Sequence, residues 1–198
     1  PTTMAFMDIT NCRTTSFDLS TIIAKLNNEK PSPFIQKLSS SVSYNFEGGL
    51  AGLLTDFVAS GKITSNIGNV DIDVLLKSDK KANGFEMKGN LKLNEFDAGK
   101  LIMNKELGKI SMRSSMTSLF RKQNFGGNKF LIDSLFIDRL DLHNYSYSNI
   151  IANGKLENSI FDGRVICHDP NLDLIFQGIF GLSQKTDSHY DFYANVSY

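Results

Sequence analysis

The chain has 198 residues, enough for one domain or for a slice of an extended assembly with a sizeable core. Lysine plus arginine equals aspartate plus glutamate at 21 each, so there is neither the basic excess of a nucleic-acid binder nor an acidic tail, and no nucleic acid partner is expected. No run approaches the ~18 consecutive apolar residues that span a bilayer, and the start lacks the charged and apolar regions of a signal peptide, so any anchor or export signal is expected outside this chain.

In chain order, the first predicted element is a helix from Leu19 to Leu26, where Leu19, Ile22, Ile23 and Leu26 share one face behind an Asp18 cap. Asn27-Asn28 ends it, and a second turn at Ser32-Pro33 carries Phe34, Ile35 and Leu38 toward the same core. Strand-like alternation begins at Val42, Tyr44 and Phe46. Leu50, Leu53, Leu54, Phe57 and Val58 also fit a helical stripe, but Gly48, Gly49, Gly52 and Gly61 favour strand and turn.

The clearest alternation is Val70, Ile72, Val74 and Leu76 against Asp71, Asp73 and Lys77, broken only by Leu75. After a turn at Asn83-Gly84, Phe85, Met87, Leu91 and Leu93 alternate with Glu86, Lys88, Asn90 and Lys92, completing a hairpin. Two late runs, Leu172, Leu174, Phe176 and Phe180, then Tyr190, Phe192, Ala194 and Val196, have the same one-sided character. With Gly48-Gly49, Asn153-Gly154, Asp162-Gly163 and Asp169-Pro170-Asn171 read as turns, the chain holds about eleven strands. A faint repeat links Phe17-Asp18-Leu19 to Phe96-Asp97-Ala98, each leading through an amphipathic turn into an alternating run.

No catalytic constellation emerges from this pattern, and an enzyme is not expected. His143, His168 and His189 fall on separate strands or turns, and no P-loop, dinucleotide fingerprint, nucleophile elbow or zinc-helix motif is present. Adjacent strand residues point to opposite faces, which keeps Cys167 from His168. Cys12 and Cys167 match no metal spacing and are read as two buried free thiols, although they could pair in an oxidising compartment. Fifteen phenylalanines and six tyrosines without a tryptophan point to an apolar lining more than to a sugar platform. The strip from Asn144 to Asn149 could serve as a polar binding strip and is read in preference as an edge or exposed strand.

Several phrases recur in a fixed order. Thr55-Asp56-Phe57-Val58-Ala59-Ser60-Gly61-Lys62-Ile63-Thr64 runs on to Ile67-Gly68 and the alternation from Val70. Phe96-Asp97-Ala98-Gly99-Lys100-Leu101 and Leu107-Gly108-Lys109-Ile110 follow. Then come Tyr145-Ser146-Tyr147-Ser148-Asn149-Ile150, Gly154-Lys155-Leu156, Phe161-Asp162-Gly163, Asp169-Pro170-Asn171-Leu172-Asp173-Leu174 and Phe176-Gln177-Gly178. In order and spacing, over roughly residues 45 to 198, they resemble the C-terminal region of TamB-family, AsmA-like proteins of Gram-negative bacteria. The stretch from Arg121 to Gly127 departs from that pattern and leaves the register of the middle strands open.

The resemblance implies a fragment, residues 1 to 198, of a long protein held in the inner membrane by one N-terminal helix, and the internal echo suggests repeat units beginning near 17 and 96. Such proteins cross the periplasm as an elongated β structure folded lengthwise into a greasy trough, the β-taco. They are implicated in phospholipid transport across the cell envelope and in outer-membrane biogenesis, and the TamB branch in assembly with an outer-membrane barrel of the Omp85 type. The implied partners are phospholipid, that barrel and the remainder of the same chain, with no cofactor or metal.

The physics leaves two architectures, because apolar area left in water costs ~25 cal/mol per Å² and two short helices cannot cover such a sheet. On alternation alone, closure into a β-sandwich is the expected solution. The resemblance turns the expectation to an all-β fold, a long antiparallel sheet curled into a half-open hydrophobic groove. The residues expected to line it are Ile72, Val74, Leu76, Phe85, Met87, Leu91, Leu93, Leu172, Leu174, Phe176, Phe192, Ala194 and Val196. A lipid-transfer bridge segment is the expected role. A module guiding outer-membrane strands, or a surface β-sandwich adhesin, are the alternatives.

Overall fold

A computed structural model describes residues 4–18, 41–53, 55–79, 84–121, 128–181 and 191–197. Alternating apolar and polar residues make strands throughout: β1 (Met4–Thr15), β2 (Ser43–Leu53), β3 (Asp56–Ser65), β4 (Gly68–Asp79), β5 (Gly84–Asp97), β6 (Leu107–Phe120), β7 (Lys129–Leu142), β8 (Tyr145–Tyr147), β9 (Ile150–Glu157), β10 (Ile160–Asp169), β11 (Leu172–Gly181) and β12 (Asp191–Ser197). A short helix, α1 (Ala98–Ile102), lies between β5 and β6. The strands form a single antiparallel meander in the order β1 to β7, then β9 to β12, with β8 pairing the end of β7. β1 and β12 are not paired to each other, so the sheet is open.

The strand pairing fixes a common face. Val70 opposes Ile63 on one side and Leu93 on the other, and the row continues through Met112, Ile137, Ile150, Cys167 and Leu174 to Val196. Every buried strand residue among those described, including Ala59, Val70, Val74, Phe96, Ala152 and Cys167, belongs to this face. It is therefore the concave one. Leu75, the residue that broke the alternation, stands on the opposite face at 39 % exposure.

Most side chains on the concave face are only half-buried, and Phe85, Phe180 and Val196 remain 38 %, 39 % and 47 % exposed. In a sealed sandwich these positions would be dry. The sheet is instead curled into a half-open groove, and the closed-sandwich alternative is not what the chain adopts.

Glycines make the curl possible. Gly48 faces Gly61 across β2 and β3, and Gly154, Gly163 and Gly178 face one another across β9, β10 and β11. A Cβ placed on Gly154, whose φ is +146°, would stand 2.5 Å from the Asp162 carbonyl oxygen and 2.7 Å from Gly163 Cα. Only a residue without a side chain allows backbones to approach this closely. The pairs Gly48-Gly49, Asn153-Gly154 and Asp162-Gly163, read from sequence as turns, thus lie inside β2, β9 and β10. The real turns are His143-Asn144 and Asn158-Ser159, both residues of each pair at positive φ. Asp169-Pro170-Asn171 does turn the chain, between β10 and β11.

At one rim of the groove the chain builds a small compact core. Val42, Ile67, Val70 and Phe96 are buried together, with Tyr44, Leu93, Ala98, Leu101 and Ile110 packed against them. α1 is set there by Asp97, whose carboxylate accepts from the Lys100 N–H at 2.9 Å and holds the Lys100 ammonium at 3.0 Å. Burial alone would raise this carboxyl, but the Lys100 amide and ammonium bring it below the usual range.

The earlier partner of the sequence echo is capped differently. Residues 16–18 are already helical, and Thr15, not Asp18, caps them by accepting the Asp18 N–H at 3.2 Å. Phe96 is buried, whereas Phe17 is 67 % exposed. The predicted helix at Leu19–Leu26, the Ser32-Pro33 turn, Asn83, His189 and Tyr190 lie outside the described residues.

β6 and β7 pair irregularly, with shifts near Ile110, Met112 and Met116, β7 shifts again against β9 between Ile132 and Leu135, β5 bulges between Leu93 and Phe96, and β1 shifts between Ile9 and Cys12. Arg139 donates from Nε to Asp141 at 2.8 Å and from a terminal guanidinium nitrogen to Glu95, within the β5 bulge, at 3.3 Å, tying β7 back to β5.

Candidate functional site: an apolar lane

The rows that cross the strands at right angles define the candidate site. One row runs Ile9, Gly48, Gly61, Ile72, Leu91, Ser114, Leu135, Ala152, Val165, Phe176 and Ala194, spanning the sheet from β1 to β12. The next begins at Met7 and passes Leu50, Ala59, Val74, Gly89, Met116, Ile132 and the three facing glycines to position 192. A further row holds Phe57, Leu76, Met87, Ser118, Phe130, Leu156, Phe161 and Phe180. Apolar side chains and glycines make up nearly all of this surface.

All the residues expected from sequence to line a groove share this face in the strand pairing. Ile72, Leu91, Phe176 and Ala194 occupy one row, and Leu93, Leu174 and Val196 another. Val74 is buried, Leu76 and Met87 sit opposite each other, and Phe85 lies at the far rim opposite Phe120. Leu172 is at the near rim opposite Asp169, and Phe192 is paired with Gly178.

Sequence reading missed the middle of the lane. On β6 the inward residues alternate methionine with serine, at Met112, Ser114, Met116 and Ser118, which hides the apolar period. In β7 the irregular pairing shifts Leu135 and Ile137 out of step with Phe130 and Ile132. Alternation of Phe130 with Ile132, and of Ile150 with Ala152, was the signal available.

The two rims differ. The far rim is aromatic: Phe85 and Phe120 stack with centroids 4.5 Å apart, and Phe130 meets Phe120 edge-on at 5.7 Å. Phe176 lies 6.4 Å from both Phe161 and Phe180, so these rings flank the glycine floor at Gly163 and Gly178.

From β8 to β11 the near rim is polar and tightly bonded. Asp169, 7 % exposed, accepts from the Tyr145 hydroxyl at 2.6 Å, the Ser148 N–H at 2.9 Å, the Ser148 hydroxyl at 3.0 Å and the Asn171 N–H at 3.0 Å. The Tyr145 hydroxyl bond outweighs burial and holds the carboxyl below the usual range, while the same bond pushes the Tyr145 phenol up. This clamp pins the break between β8 and β9 at Ser148-Asn149. The Tyr145–Asn149 strip is thereby committed to internal bonding.

Cys167 is buried on the lane side and burial pushes its thiol up, whereas His168 is exposed on the other face, 2.6 Å from Asp173. Both cysteines are free, and Cys12 is exposed, not buried as expected. The described residues contain no group of three His, Cys, Asp or Glu able to hold a metal, and no helix long and apolar enough to cross a membrane.

A cleft of about 350 Å³ lies on the opposite, polar face, between the row Asp71, Lys92, Arg113 and Phe136 and the row Asp73, Asn90, Ser115 and Ser134. Arg113 is already held there by Asp138 at 3.2 Å and by the Phe136 ring at 4.9 Å.

The chain matches no family model, no curated protein and no solved structure.

Proposed function

We propose that this chain is a non-enzymatic segment of a lipid-transfer groove, of the kind found in AsmA-like proteins of the TamB family, and that it carries phospholipid acyl chains through the periplasm. One observation carries the reading: an apolar surface crosses the sheet from edge to edge and stays half-open to water. Each methylene that leaves water for such a surface gains ~0.8 kcal/mol, while a charged headgroup keeps its hydration at the open seam.

Native mass spectrometry of the purified chain, with identification of extracted lipids, tests the reading. Co-purifying phospholipid supports it, and a lipid-free chain that takes up none from vesicles refutes it. Met87→Asp and Leu174→Asp place a charge in the lane, where a carboxylate in hydrocarbon costs several kcal/mol. A variant that folds as the parent does should lose most lipid uptake. Undiminished uptake would show that the lane is not the route.

The unpaired outer edges of β1 and β12 support a second reading, capture of strands from nascent outer-membrane proteins by edge pairing. That activity would appear as binding of unfolded barrel peptides by a chain indifferent to lipid.

A further inference from the structure

In the four rows through Val70, Ile72, Val74 and Leu76, every described inward position is apolar, glycine or cysteine except two, Ser114 and Ser118 of β6. Ser114 sits between Leu91 and Leu135, is 5 % exposed, and its hydroxyl has no partner. Ser118 is fully buried, and the bond recorded for its hydroxyl runs to the Met116 sulfur at 3.5 Å, a poor acceptor.

A hydroxyl taken out of water with nothing to bond destabilises the fold, and alanine would fill the same space without that loss. Its presence in the middle strand of a hydrocarbon surface points to a partner arriving with the occupant. We infer that the Ser114 hydroxyl donates to an ester carbonyl of an acyl lipid lying in the lane, so that the groove prefers ester-linked over ether-linked lipid. An acyl lipid brings carbonyl oxygens, which are acceptors only, and a serine hydroxyl is a donor that can turn to meet them.

Access has a physical route. Met112 and Met116 flank Ser114 on the same strand face, and unbranched thioether side chains swing aside more readily than branched ones. The inference rests on the lipid-groove reading above and narrows it to one bond type.

The test compares binding of a diacyl phosphatidylcholine with that of its dialkyl-ether analogue, equal in headgroup and chain length, to the purified chain and to two variants. The parent should bind the diacyl form about fivefold more tightly, the worth of one ordinary hydrogen bond. Ser114→Ala should bind both forms equally, and Ser114→Thr should restore the preference. Equal binding of the two lipids by the parent overturns the inference and leaves the groove reading standing. So does a preference that survives in Ser114→Ala. Failure of both lipids to bind the parent removes the groove and this inference together. The parent comparison needs no variant, so equal binding of the two lipids overturns the inference even if a substitution prevents folding.

Discussion

The facing glycines offer a sharp stability test, centred on Gly154→Ala. At φ +146° an L side chain is strained, worth about 1–3 kcal/mol, and its Cβ would stand 2.5 Å from one backbone atom and 2.7 Å from another on β10. Neither contact is with a flexible side chain, so β9 and β10 must separate, adding about 1–3 kcal/mol of overpacking. A total of about 4 kcal/mol is a large part of the ~5–15 kcal/mol that holds a domain together. In urea, followed by far-ultraviolet circular dichroism, a slope of about 2 kcal/mol per molar puts the midpoint about 2 M lower.

Gly49→Ala is the matched control, since the nearest atom to its added Cβ is a side-chain oxygen of Asp8 at 3.8 Å. Its midpoint should be unchanged or slightly higher, because alanine narrows the unfolded ensemble. Equal effects at the two positions, or a Gly154→Ala loss below about 1 kcal/mol, would refute the reasoning that close backbone approach bends this sheet.

The near-rim clamp predicts a pH dependence. Asp169 is held below its ordinary value, so its contribution is complete above the unfolded carboxylate range, near pH 4, and is lost as pH falls through the lower folded value. Asp169→Asn should therefore be less stable at neutral pH and lose less on acidification. Urea midpoints measured from pH 7 to about 2.5 would contradict this if parent and variant ran parallel. The two thiols should separate by reactivity: an aromatic disulfide reagent should label exposed Cys12 at once and Cys167, 2 % exposed, only on unfolding. Two fast thiols in the native chain would argue against the buried face at β10.

Much of the architecture is legible in the strands where period two is clean. Val70 to Leu76 and Phe85 to Leu93 identify a hairpin and its dry side without further help, because each polar neighbour is forced outward by the pleat. The mid-strand glycines misled the reading for a physical reason. Gly-Gly and Asn-Gly read as turns when only backbone freedom is considered, whereas at Gly48 and Gly154 the residue is needed for lack of volume. The turns themselves, His143-Asn144 and Asn158-Ser159, use left-handed residues that carry no glycine and so give a faint signal.

Half of the lane was similarly concealed. Met112, Ser114, Met116 and Ser118 present no simple contrast with Arg113, Ser115 and Thr117, and the irregular β7 pairing resets the phase of the pattern midway. Tertiary pairing with β5, already aligned by its own alternation, assigns these residues to the inside. Openness of the groove was not readable from periodicity at all, since a sandwich and a trough need the same alternation and differ only in what lies opposite.

The cross-strand rows have a consequence for anything that rests in them. Eleven strands on the main path give ten steps, and at ~4.8 Å between neighbours the corrugated surface extends about 48 Å. An elongated guest displaced by one step exchanges one set of aliphatic contacts for an equivalent set, so its energy profile along that axis is shallow. Displaced sideways, it would meet the packed Val42–Ile67–Phe96 cluster on one side and the Phe85–Phe120–Phe130 rim on the other. If the lane carries the proposed acyl guest, its movement would be confined to a single direction, like a bead on a rail, with β6 near the midpoint as the place where the rail changes character.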